Sequence, residues 1–232
     1  MLAVLLTVSM VAGGVWAYFT DTEKASANVL LTGTVDLSPS TAGAGPTGKT
    51  TVTAGGNQVN GNVVFTKLLP GESGNITWVL ANTGILAGTL VITSTVTFSE
   101  NGSNEIENTI TGNNDGGNGD LDQYMGIKLQ RGVGTDQPSA TANFSYILGS
   151  ADNYVPFSGL QAVLNAQSVA IAGDGGNDTV VYKFSWSIAN PLKGAGPDGL
   201  FGTGDDVLVN DNIIQSDTAQ IDITFTINQN FS

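Results

Sequence analysis

The chain has 232 residues, with 7 Lys+Arg against 20 Asp+Glu, a net charge of -13, and no Cys or His. Such acidity repels phosphates and excludes nucleic acid as a partner. Without Cys and His there is no disulfide, no zinc site with the usual nitrogen and sulfur ligands, no Cys–His pair and no Ser-His-Asp triad; a carboxylate-pair glycosidase stays formally open, but no motif marks such a pair.

Residues 1–16 are uncharged and mostly apolar, and the first charge is Asp21. The run has the length of a signal-peptide core and falls short of the roughly 20 residues of a comfortable membrane span. Val15-Trp16-Ala17 fits the -3 and -1 positions of a signal-peptidase cut, so residues 1–17 read as a secretion signal and Tyr18 as the mature start. No Lys or Arg precedes the run, and the alternative is a retained hydrophobic anchor.

Thirty-one Gly with abundant Thr, Asn, Val and Ile describe strands joined by turns. Residues 28–37 read as the first strand and 38–48 as a loop of small residues. Residues 49–54 and 58–69 pair as a hairpin around Gly55-Gly56, and Leu69-Pro70-Gly71-Glu72 is a turn. Residues 75–82 follow with Ile76, Trp78 and Leu80 on one face. Residues 89–100 alternate clearly, with Leu90, Ile92, Val96 and Phe98 inward.

Residues 101–122 lack a core-forming pattern and read as a long surface loop. Strands are predicted at 124–131, 144–148 and 169–172. A helix is predicted at 158–166, with Leu160, Val163 and Leu164 on one face and Ser158 as its cap. Residues 173–178 read as a hairpin turn and 191–206 as a second large loop. Residues 179–188 place Val180, Tyr182, Phe184, Trp186 and Ile188 inward; residues 219–227 do the same with Ala219, Ile221, Ile223, Phe225 and Ile227. Trp78 and Trp186 therefore read as core.

The sum is an all-β chain, a jelly-roll-like antiparallel β-sandwich with long surface loops and at most one short helix. The expected division is 1–17 signal or anchor, 18–31 a separate N-terminal strand, and 32–232 one sandwich domain.

Two acidic, glycine-rich stretches are candidates for calcium, which takes oxygen ligands on tightly folding loops. One carries Asp198, Asp205 and Asp206, the other Asp115, Asp120 and Asp122; the second lacks the closing Glu of an EF-hand loop. For both, the competing reading is a solvated turn. Sequons at Asn75, Asn101, Asn143, Asn177 and Asn230 would accept glycans in a suitable secretory context.

Three blocks resemble the TasA/camelysin family of exported fibre-forming proteins. AYFTDTEKASANVLLTGTVDLS (17–38) is similar to the family's junction after the signal. LLPGESGNITWVLANTG (68–84) is similar to its strand-turn-strand section, and NIIQSDTAQIDITFTINQ (212–229) to its closing strand. Together they cover about a third of the chain, in the family's order; residues 101–122 and 191–206 match nothing there. Related archaeal bundling pilins look similar to the same degree.

The resemblance implies a secreted subunit, at the cell surface or in a biofilm matrix, that polymerises head to tail with itself by donor-strand exchange. The donor would be 18–31, with Tyr18, Phe19, Val29, Leu30 and Leu31 as apolar contacts. The membrane would be touched only through the signal or anchor. Elementary physics agrees in part: an open sheet edge is a template for another chain's strand. The plainer alternative makes the segment the domain's own first strand. Two other functions compete. One is a monomeric surface-anchored binding module. The other is a protease, since the family label carries that claim, though this chain would need an all-carboxylate metal site. No catalytic residue is assigned, and calcium is the one cofactor expected.

Overall fold

Alternation of apolar and polar residues becomes two antiparallel sheets packed face to face. The computed structural model describes residues 36–41, 48–55, 58–84, 86–100, 119–173, 178–214 and 217–229. In chain order the strands are β1 (Asp36–Thr41), β2 (Gly48–Gly55), β3 (Gln58–Thr66), β4 (Ser73–Ala81), β5 (Gly88–Ser99), β6 (Met125–Gly134), β7 (Ser145–Leu148), β8 (Val155–Pro156), β9 (Ser168–Ile171), β10 (Thr179–Ile188), β11 (Lys193–Gly194), β12 (Val207–Leu208) and β13 (Thr218–Gln229). The short helices are α1 (Leu121–Tyr124), α2 (Gln137–Ala142) and α3 (Leu160–Asn165). None of the described helices is long and apolar enough to cross a membrane.

The first sheet runs β1-β4-β10-β6-β7, with β8 also on β6; the second runs β2-β3-β13-β5-β9; β11 and β12 form a separate ribbon. The registers place Ile76, Trp78 and Leu80 of β4 beside Phe184, Tyr182 and Val180 of β10. Across the sandwich, β13 pairs Ala219, Ile221, Ile223 and Phe225 with Phe98, Val96, Ser94 and Ile92 of β5. One buried cluster joins both sheets. Phe65 packs edge-on against Phe157 and Trp186 at ring separations of 5.9 and 5.6 Å, and Phe225 lies 6.1 Å from Trp78 and 6.0 Å from Tyr182. Burying each such side chain contributes about 1.5–3 kcal/mol.

Both connections between long strands and the turns of the sheets sort into two ends. At one stand the 67–72 turn, α1 and the chain that leaves β10 after Ile188; at the other stand the chain that leaves β4 after Ala81, and α2. The turn is tied to β10 there, Gly71 N–H donating to Ile188 O at 2.9 Å and Ile188 N–H to Glu72 O at 2.8 Å.

Several expectations change. The first described strand occupies residues 36–41, the last two residues of the expected 28–37 strand and the first four of the stretch read as loop, because its backbone pairs with β4 from Asp36↔Val79 to Thr41↔Gly74. The earlier part of the expected 28–37 strand lies outside the described residues. Among the described residues there are three short helices where at most one was expected. α2 escapes a periodicity reading because its start is held by a capping box: Asp136 accepts from Ser139 N–H at 2.7 Å, and Ser139 Oγ accepts from Asp136 N–H at 3.1 Å. Ser158 does not cap α3; it lies in a 3-10 turn, Phe157–Gly159, and the cap position falls on Gly159. Residues 173–178 do not close a hairpin, since β9 pairs β5 in the second sheet while β10 lies in the first. The far end of the 101–122 loop is anchored rather than free, with Asp120 and Leu121 buried.

Candidate functional site

Polymerisation through a strand needs an available edge. β1 and β7 are the outermost strands of the first sheet's path, β2 and β9 those of the second; β1 and β2 are each paired on one side only among the described residues. Pro39, which cannot donate to a ladder, falls within β1. β2, eight residues long, carries no proline. The expected donor residues Tyr18, Phe19, Val29, Leu30 and Leu31 lie outside the described residues.

The loop that carries Asp198, Asp205 and Asp206 spends its carboxylates on itself. Asp198 Oδ1 accepts from Leu200 N–H at 2.9 Å, and Asp206 Oδ2 from Gly202 N–H at 2.9 Å. Thr203 Oγ1 donates to Asp205 Oδ1 at 2.6 Å, and this bond holds the Asp205 carboxyl below its usual range. Gly199 and Gly202 take the positive φ values of 69° and 87° that such tight turns require.

Of the second acidic set, Asp115 lies outside the described residues. Asp120 is buried before α1, and its N–H donates to the carboxylate of Asp217, which precedes β13. Gly119, at φ +71°, permits this approach: a Cβ there would stand 3.0 Å from both Asp217 Oδ1 and Ser99 O. Burial pushes the Asp122 carboxyl up. It also pushes up the Tyr124 hydroxyl, helped by the charges of Asp120 and Asp122. Sequence reading missed Asp217, whose sole signal is its place one residue before an apolar strand. Among the described residues, no group of three or more His, Cys, Asp or Glu is arranged to hold a metal ion.

Of the sequons, Asn75 lies half-buried on β4, and Asn143 is exposed at the end of α2. The Asn143 amide donates to Ser139 O at 3.0 Å. Asn101, Asn177 and Asn230 lie outside the described residues. Trp78 and Trp186 are buried, as expected.

A family model described as camelysin metallo-endopeptidase matches residues 1–117, which include β1 to β5. No curated protein and no solved structure matches the chain.

Proposed function

The chain belongs to the TasA/camelysin family, and from that premise we propose that it is a structural subunit of an extracellular filament, secreted to the cell surface or a biofilm matrix. The subunits join head to tail, the segment 18–31 of one completing a sheet of the next. The observation that carries this reading is the position of β1: an edge strand, bonded on one side only among the described residues, with 35 residues of chain ahead of it. An edge strand offers unpaired backbone donors and acceptors, and a contact that does not close on itself generates a filament. Joining through main-chain hydrogen bonds suits a chain without Cys. A net charge of -13 keeps such filaments apart, so divalent cations such as calcium would favour their bundling.

Negative-stain electron microscopy of protein beginning at Tyr18, beside protein beginning at Gly33, tests the reading. Filaments from the first and globular particles from the second are expected. Filaments from both would keep the structural role and remove the donor segment; monomers from both would remove the polymer.

The family's description favours a second reading, a metal-dependent endopeptidase. With no His and no Cys, its metal would rest on oxygen ligands alone. Casein cleavage that stops on chelation and returns with added metal would put this reading first.

A further inference from the structure

Four large apolar side chains are exposed among the described residues, and three of them, Leu69, Val207 and Leu208, stand at one end of the sandwich at 57–64 % exposure. The fourth, Tyr146, lies on the edge strand β7. Leu69 is held outward by its turn, where Leu69 N–H donates to the Glu72 carboxylate and Glu72 N–H to Leu69 O, each at 3.1 Å. Gly71, two residues on, lies so close to Asn190 that a Cβ there would stand 3.3 Å from its side chain. Two residues past Asn190 the chain bonds to the ribbon, with Val209 N–H donating to Leu192 O at 3.1 Å and Lys193 opposite Leu208. Two neighbouring connections thus present aliphatic side chains to solvent at the same end.

The first residue of β1 stands at the other end. Asp36 pairs with Val79 and Thr41 with Gly74, so β1 runs toward the Leu69 end and the chain ahead of Asp36 comes from the opposite one. Residues 18–35 number eighteen and can reach about 60 Å when extended. β4, with nine residues, spans about 30 Å. Were that segment to continue the line of β1, it would leave its own sandwich and meet the Leu69 end of a copy stacked above it, with Val29, Leu30 and Leu31, five to seven residues ahead of Asp36, the first to reach it.

From this polarity we infer that the Leu69–Val207–Leu208 end is the docking surface for Val29, Leu30 and Leu31 of a second copy of this chain. The inference rests on the filament reading and specifies which end of the subunit receives its neighbour. Apolar side chains on both partners leave water together, and the contact is heterologous, so it propagates instead of closing.

Because the chain has no Cys, engineered thiols report the contact cleanly. In the full chain, Leu30→Cys with Leu208→Cys should give, on mild oxidation of filaments, a ladder of covalent oligomers on a denaturing gel. Leu30→Cys with Tyr146→Cys should leave monomers. Filaments that form without a ladder, or equal ladders from both pairs, would overturn the docking surface while leaving the filament reading intact. A disulfide within single chains would overturn it too, showing that the segment folds back on its own subunit. If the unsubstituted chain forms no filaments, the filament reading itself fails.

A second variant, Leu69→Ser with Val207→Ser and Leu208→Ser, changes only exposed side chains and should keep its unfolding midpoint. It should need at least about tenfold more protein to assemble. Unchanged assembly, with loss of binding to phosphatidylcholine vesicles, would assign the patch to a membrane and overturn the inference.

Discussion

The outward faces of the two sheets are built by opposite rules. On the first sheet β6 carries Gly126, Gly132 and Gly134 outward, and something lies on them. Ala140 of α2 packs with Val79 and Val181, and Phe144 closes the patch. A Cβ at Gly132 would run into the carbonyl oxygen of Ala140, and one at Gly134 into Ser139 Oγ. Further along β6, Lys128 is buried beneath the 149–154 loop, its Nζ donating to Ala151 O at 2.6 Å and lying 4.1 Å from the Tyr154 ring centroid. Burial lowers its pKa, partly opposed by Asp152. On the second sheet the outward residues are mostly Thr, Asn, Gln and Asp, with Val64 and Val91 among them, and several of the polar ones bond to one another. Asn62 Nδ2 donates to Asp222 Oδ1 at 2.6 Å, and Thr224 Oγ1 to Asn60 Oδ1 at 2.8 Å. The difference teaches what a glycine in a strand signifies here: where another layer must approach the backbone, side chains are removed, and where water is the neighbour, polar side chains remain.

Substitutions should separate the two faces, beginning with the largest effect. Gly132→Ala must displace α2, and should cost about 3 kcal/mol or more, read as a fall in the urea midpoint at unchanged slope. Lys128→Met keeps the aliphatic stem and loses both the bond to Ala151 and the ring contact. It should cost about 1–2 kcal/mol, and proteolysis within the 149–154 loop should quicken. Asp136→Ala removes the cap that starts α2 and should destabilise less. The pH dependence follows from Ser139, whose hydroxyl and then N–H bonds hold the Asp136 carboxyl below its ordinary range. A carboxyl with a lowered folded pKa stabilises above its unfolded value, near 3.9, and stops doing so as pH falls through the folded value. The midpoints of the unsubstituted chain and Asp136→Ala should therefore differ at pH 6 and converge below about pH 4.

The same contrast decides what the sequence discloses. β5 and β13 alternate because one face meets core and the other meets water, and their inward residues are read correctly. β6 is harder to place because Met125 to Leu129 are all buried, on both faces. α2 shows no apolar repeat, since Ala140 is its one buried residue and its backbone rests on glycines. β1, with the sequence DLSPST, looks like a loop from Ser38 on, and that part becomes strand through pairing with β4. At the acidic loop, the glycines beside Asp198 and Asp205 announce tight turns, but not that the carboxylates bond to the loop itself. Leu69, Val207 and Leu208 sit among turn residues, where sequence alone gives no direction. Their common end emerges only from the bonds of Gly71 to Ile188 and of Val209 to Leu192.

The smallest expected effect lies at the centre of the open face. Asp222 is exposed and accepts from Asn62 and, at 2.7 Å, from Gln220 Nε2. Asp222→Ala removes both bonds, but every partner it leaves can turn to water. Exchange of a protein hydrogen bond for a water bond is nearly even, so the cost should stay below about 1 kcal/mol. Thr93→Ala, on the neighbouring strand, should fall within about 0.5 kcal/mol of zero. The pair sharpens the comparison when measured twice, once on monomers and once on assembled protein. Equal small costs in both would show that water remains the neighbour of this face in the filament. A cost of several kcal/mol appearing only on assembly would mean that the polar face, like the glycine face, acquires a layer of its own when subunits join.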